Sequence, residues 1–304
     1  MPSRTSPAVS AASVAASKTA RALLLLRIAT ALILAPLFVL GLFGLPPGGF
    51  ALFIGAFLLL AGWEWGALCG FVGGRRVLWA LALAIVAAGL WFAETSLPAA
   101  RLATVASGAL FWVGATVAIL AFPRGQRAWA HAGVRALAGL AMMIPAWAGL
   151  TLLQARPGGA WLVLWTMVLV WAADIGAYFA GHALGRRKLM PEVSPGKTLE
   201  GLAGGILLAL LVSLVLAGLG GFGADRAPAV LGVSLAVILA SVCGDLMESL
   251  VKRVAGVKDS GSLLPGHGGI LDRVDGVLAA APLAALLLVI LDVVPGGWME
   301  RVFS

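Results

Sequence analysis

The stretch Ser249–Asp275, SLVKRVAGVKDSGSLLPGHGGILDRVD, sets four cations (Lys252, Arg253, Lys258, Arg273), three aspartates (Asp259, Asp272, Asp275) and a Gly-His-Gly-Gly turn between two apolar runs. Asp245 and Glu248 stand just upstream. Elsewhere charge is scarce: of 304 residues 61% are hydrophobic and 11% charged, and the mean hydropathy is +1.04. A soluble domain carries about 25% charged residues, so much of this chain must face lipid. Charges gathered at one place in such a chain are not there for solvation. They read as the water-facing mouth of a site built into a membrane.

Outward from that stretch, apolar segments of about 20 residues, the length a bilayer core demands, recur nine times. They fall near 23–44, 48–68, 77–94, 101–121, 135–154, 160–183, 199–220, 228–251 and 276–294. The expected fold is therefore all-α, a polytopic helical membrane bundle of about nine spans. Residues 1–22, rich in Ser, Ala and Pro, read as a disordered cytoplasmic tail. The run from Leu23 continues too far for a cleaved signal peptide and reads as a first span. Residues 23–155 form the N-terminal helices and 156–304 a catalytic C-terminal set with cytoplasmic loops. Cys69 and Cys243 both lie in apolar segments and read as packing residues. The eleven Trp read as interfacial or packing side chains.

The net charge of +8 is spread over short inter-helix clusters, which is a topology signal rather than a nucleic-acid footprint. With the N-terminus in the cytoplasm, the loop cations Arg75, Arg76, Arg124, Arg127, Arg135, Arg186, Arg187, Lys188 and Lys197 lie inside, with those of 252–273. Only Arg101, Arg156, Arg226 and Arg301 fall outside. This is the bias of a plasma-membrane protein whose charged loops face the cytoplasm.

Polar residues within spans then become informative. A carboxylate in a membrane helix costs about 2.5–3.5 kcal/mol on insertion scales, so it faces a cavity or a partner. Asp174 lies within the sixth span, in WAADIGAYFAG, and Asp245 and Glu248 lie near the inner end of the eighth. Asp245, Glu248, Ser249, Lys252 and Arg253 follow i, i+3, i+4, i+7, i+8 spacing and share one helix face. Asp272 and Asp275 share a face if the last helix has begun there. Hard carboxylate oxygens suit Mg²⁺ with phosphate, and the cations suit the remaining phosphate charge. Gly266, Gly268 and Gly269 permit close backbone approach to an anion. His267 reads equally as a loop hydrogen-bonder or an acid–base group. Ser194-Pro195-Gly196-Lys197-Thr198-Leu199-Glu200-Gly201 offers hydroxyls, a cation and a helix start. It reads either as a phosphate-binding turn or as a capped helix start, and it is not a Walker motif. His131 and His182 take no role from spacing.

The ordered run Ser249-x-x-Lys252-Arg253, Lys258-Asp259-Ser260, Leu264-Pro265-Gly266-His267-Gly268-Gly269, Asp272-Arg273-x-Asp275 resembles the signature of the phosphatidate cytidylyltransferase (CDP-diacylglycerol synthase) family. SPGKTLEG and DIGAYFAG are similar to that family too, so the resemblance spans residues 174–275, and earlier spans match in hydropathy alone. Ile175, His182 and Gly276 depart from residues common there. The resemblance implies transfer of the cytidylyl group of CTP to phosphatidic acid, giving CDP-diacylglycerol and pyrophosphate, with Mg²⁺ as one ion or a pair, in a homodimer. The roles carried over place Asp245 and Asp275 foremost as metal ligands, with Asp174, Glu248, Asp259 and Asp272 as further ligands. Lys197, Lys252, Arg253, Lys258 and Arg273 take phosphates, supported by Ser194, Thr198, Ser249 and Ser260, with His267 nearby. Acyl chains are expected to enter between the later helices. Competing classes are a CDP-alcohol phosphotransferase, whose motif would need an Arg that Val277-Leu278-Ala279-Ala280 lacks, a CTP-dependent polyprenol kinase, and an ion-coupled transporter with polar groups at the midplane.

Overall fold

The computed structural model of the chain describes residues 26, 30, 32–97, 99–220, 223–264 and 268–292. The tail 1–22, the start of the first span, Gly266, His267 and the end of the last span lie outside the described residues. Among those described, eight helices are long and apolar enough to cross a bilayer, and a shorter apolar helix, α1 (Leu32–Gly44), precedes them. The long ones are α2 (Pro47–Leu68), α3 (Gly74–Ser96), α4 (Ala99–Leu120), α6 (Ala132–Gln154), α7 (Gly159–Leu184), α8 (Leu199–Leu219), α9 (Ala227–Ala255) and α10 (Leu271–Ile290), with a short α5 (Gln126–Ala130). The chain is an all-α integral membrane protein, and its spans lie close to the sequence-derived ones. The main shift is at α10, which starts at Leu271 rather than near 276, so that Asp272 and Asp275 are both helical.

The loop between α7 and α8 adds a two-stranded antiparallel hairpin, β1 (Lys188–Met190) and β2 (Ser194–Thr198). At its end Thr198 caps α8, its hydroxyl accepting from Gly201 N–H at 3.0 Å. Glu200 closes the hairpin base, accepting from the amides of Arg186 (3.0 Å) and Arg187 (3.1 Å) and from the Arg187 guanidinium (3.0 Å).

α6 lies at the centre, packed on α2, α4, α7 and α10, while α7 pairs closely with α8 and α9 with α10. In lipid, helices associate by close packing and interhelical hydrogen bonds rather than by the hydrophobic effect. Close packing is plain at Gly176 of α7, where a Cβ would strike the Gly204 carbonyl, Leu208 and the Gly205 backbone of α8. The bonds come chiefly from tryptophans, which are more than packing residues. Trp65 donates to the Arg135 carbonyl (2.8 Å), Trp79 to Gly62 (2.8 Å) and Trp147 to Ala51 (2.9 Å). Trp112 of α4 donates to the Leu278 carbonyl of α10 at 3.2 Å. That carbonyl lies four residues before Pro282, which has no N–H to offer it, so a neighbouring helix satisfies the group that the proline frees.

At the charged end, buried Arg135 donates to the carbonyls of Trp129 (2.9 Å) and Cys69 (3.3 Å), tying α6 to the α5 and α2–α3 connections. Both cysteines are free thiols, and burial pushes that of Cys69 up to about 12, so it stays protonated as a packing group. Gly176→Val should destabilise the protein by about 1–3 kcal/mol through overpacking of the α7–α8 contact. The expected result is a lowered thermal unfolding midpoint of the detergent-solubilised protein.

Candidate active site

α9 delivers the core of the site because its charged face survives as one uninterrupted helix from Asp245 to Arg253. Lys252 Nζ lies 3.0 Å from Glu248 Oε2, one turn earlier, and 2.7 Å from Asp272 Oδ1 on α10. Asp272 also accepts the amides of Gly269 (2.9 Å) and Ser260 (3.2 Å) through Oδ2. Its carboxylate thus organises the loop between α9 and α10 as well as the cation. Gly244 permits the approach of α9 to α10 here, since a Cβ would meet the Asp275 carbonyl. Its neighbour Asp245 is thereby set close to Asp275.

Asp245 pairs with Lys197 of β2 at 2.5 Å and accepts weakly from the Ser249 hydroxyl at 3.4 Å. Asp174 of α7 lies in the electrostatic reach of Asp245, Lys197 and Arg273. Asp275 lies in that of Asp245, Asp174 and Glu248. Acids drawn from α7, α9 and α10 therefore converge with Lys197, Lys252 and Arg273, and carboxylates outnumber cations.

Other expected site residues fall at the edges. Arg253 donates to the Val193 carbonyl at 3.2 Å and so braces the hairpin. Thr198 spends its hydroxyl on the α8 cap, and half-buried Ser194 begins β2. Ser260 is buried with its hydroxyl 3.4 Å from Glu64. Lys258 and Asp259 stand exposed on the loop, and among the described residues neither is seen in an ion pair. Leu264 and Gly268 form an isolated bridge (2.9 Å) across the glycine turn, Gly268 with left-handed backbone at φ 82°. Gly266 and His267 lie outside the described residues.

Below the charges is a cavity of about 700 Å³, in the range of ligand pockets. Its walls are apolar, from α1 (Leu34, Phe38), α2 (Ile54, Phe57), α6 (Trp147, Leu150) and α7 (Met167, Trp171), and one end carries Asp174, Asp272, Arg273 and Asp275. Such a chamber suits an amphipathic ligand with its anionic head among the charges. The walls include early helices as well as the later ones between which acyl chains were expected. Sequence reasoning also missed Glu64 of α2, 1% exposed, whose carboxylate accepts from Leu271 N–H at 2.8 Å. The signal was present: a lone acid in an apolar span, the same mark that singled out Asp174.

A divalent cation fits this donor set. Glu248 Oε1 is buried with no hydrogen-bond partner among the described residues, and Asp275 lies within electrostatic reach of it, a like-charge arrangement that a cation between them would relieve. Among the described residues no three His, Cys, Asp or Glu side chains form a ready-made metal cage. Mg²⁺ does not require one, since it binds through one or two carboxylates and completes its shell with water and substrate phosphates.

A family model described as the cytidylyltransferase family matches residues 25–291. The chain is similar to the phosphatidate cytidylyltransferase of Pseudomonas aeruginosa, 43% identical over 280 residues, covering 86% of this chain and 96% of that protein. It is similar to that of Haemophilus influenzae, 35% identical over 279 residues, covering 84% and 95%. It is also similar to that of Brucella suis, 43% identical over 189 residues, covering 59% and 66%.

Asp272→Ala should cost about 1–3 kcal/mol for the donors left unsatisfied, since it orphans the Gly269 and Ser260 amides and one side of Lys252. Chemical denaturation of the solubilised protein is the measurement, with the lost stability expected in its midpoint.

Proposed function

The chain belongs to the cytidylyltransferase family, and on that premise we propose that it transfers the cytidylyl group of CTP to phosphatidic acid, giving CDP-diacylglycerol and pyrophosphate. The observation that carries the reading is the joining of an apolar chamber to a head of three carboxylates, Asp174, Asp272 and Asp275, with Arg273. A double-chained lipid phosphate needs both parts, whereas a transporter would concentrate its polar groups at the membrane midplane.

In the reaction an oxygen of the lipid phosphate forms a bond to the α-phosphorus of CTP. The bond from that phosphorus to the oxygen bridging to the β-phosphate breaks, and its electron pair leaves on pyrophosphate. The nucleophile is already an anion, so no residue has to remove a proton from it. The difficulty is electrostatic, since two anions must meet beside a cluster that is itself rich in carboxylates. Arg273, at the head of the chamber, would take the lipid phosphate. Lys197 and Lys252 would exchange their carboxylate partners for triphosphate oxygens, and the Gly268–Gly269 backbone would let the nucleotide approach closely. Asp245 and Asp275, with Asp174 and Glu248, would hold Mg²⁺. When bound, the ion neutralises charge on the transferring phosphate and the pyrophosphate, where most catalysis of phosphoryl transfer arises.

The site faces the cytoplasm of a bacterial plasma membrane in this reading, which is supported by the loop cations at the same end of the bundle and by the bacterial relatives. The homodimer rests on the family resemblance alone.

Purified protein given Mg²⁺, phosphatidic acid and cytidine-labelled CTP should place label in the lipid and release pyrophosphate in equal amount. A chelator should abolish turnover and added Mg²⁺ restore it. Transfer of γ-phosphate without cytidine would instead identify a lipid kinase and end the proposal. Asp275→Asn should lower kcat on the order of 100-fold or more while membrane insertion, followed by fractionation, stays intact.

A further inference from the structure

We propose that Glu64 is a positioning residue for this reaction: from α2 its carboxylate holds the start of α10 and the flanking loop in register with Asp272 and Lys252. The inference rests on the cytidylyl-transfer reading for the reaction it serves, while the geometry stands independently of it.

Glu64 is the acid in Gly62-Trp63-Glu64-Trp65-Gly66, at the charged end of an otherwise apolar helix. It is almost completely buried, so its charge is there for partners rather than for water. Oε2 accepts the Leu271 N–H at 2.8 Å and the Ser260 hydroxyl at 3.4 Å. Leu271 is the first residue of α10, and Ile270 before it has no side chain able to cap. The first amides of a helix have no partner within it and carry its positive pole. A carboxylate from another helix therefore does here what a local capping residue does elsewhere.

The effect reaches the site in two steps. Ser260 gives its hydroxyl to Glu64 and its amide to Asp272, at 3.2 Å from Oδ2. Asp272 in turn holds Lys252 at 2.7 Å. The contact is tight, since a side chain at Gly261 or Gly269 would collide with the Glu64 carboxylate. Ala61, one turn earlier on α2, lines the apolar chamber. The helix that walls the chamber thus also fixes the loop above it. Glu64 does not line the chamber, so it acts through other residues and is not itself catalytic.

The decisive comparison is between Glu64→Gln, which keeps a carbonyl acceptor for Leu271, and Glu64→Met, which keeps length but offers none. In the full-length protein in lipid nanodiscs, E64M should lower kcat by about 10- to 100-fold with KM for phosphatidic acid within about twofold. E64Q should stay within about threefold of the wild type in kcat. Amide hydrogen exchange, measured without substrate, should quicken by about tenfold or more in E64M over residues 260–264 and 268–272. Exchange in α8 should be unchanged, which a general loss of stability would not allow. Wild-type kcat or unaltered exchange in E64M overturns the proposal, as does an E64Q protein that is inactive with native exchange, which would make the charge itself essential. If E64M does not accumulate folded, Ser260→Ala decides: faster exchange across 260–264 with lowered kcat supports the relay, and no change in either refutes it. A wild-type protein that makes no CDP-diacylglycerol would sink the assignment of the reaction, and the exchange data would still show whether Glu64 holds the segment.

Discussion

Lys252 bridges Glu248 and Asp272, and the arrangement of the site follows from that bridge. In a medium with little water, two carboxylates a few ångströms apart are tolerated only with a cation between them. Removing one member of such a group costs far more than the group contributes as a whole. All three side chains are largely buried, at 15%, 4% and 12% exposure. Since Glu248 and Lys252 sit on α9 and Asp272 on α10, the bridge fixes the angular setting of the two helices. Asp245 and Asp275 inherit their proximity from that setting. The second oxygen of Asp272 then orders the loop beyond, so one electrostatic requirement sets both helices and the turn.

On the proposed reaction, the ion pairs would also let a carboxylate-rich pocket receive anions. Lys197 on Asp245 and Lys252 on its two acids keep the cations in place before any phosphate arrives. In the proposed reaction, incoming phosphate oxygens would replace carboxylates around cations that are already positioned, so less ordering entropy would be lost on binding. The carboxylates so released would be ones suited to a divalent ion. On that proposal, substrate and metal occupancy would be coupled through shared lysines.

Much of this was legible in the residues. The spans followed from hydropathy, and the shared face of Asp245, Glu248 and Lys252 followed from helical spacing, because both depend on local periodicity. Asp174 was legible from the cost of a charge in lipid. Glu64 bears the same mark but stands alone in its span, with no neighbouring motif to draw attention to it, and its partners lie some 200 residues away. The hairpin was hidden because Pro195 and Gly196 are poor strand formers, and pairing with 188–190 overrides that preference. The chamber was hidden for another reason. In a membrane protein both lipid-facing and inward surfaces are apolar, so composition does not reveal which face of α1, α2 or α6 lines a cavity.

The Trp112–Leu278 bond has a consequence for how such chains diverge. Pro282 creates a carbonyl without a donor inside α10, and an indole on α4 supplies one. Either residue changed alone leaves a cost behind: a proline without the indole strands an acceptor in hydrocarbon, and an indole without the proline seeks a carbonyl already taken. Across descendants of this chain the two positions, 170 residues apart, should be inherited or lost together as one unit.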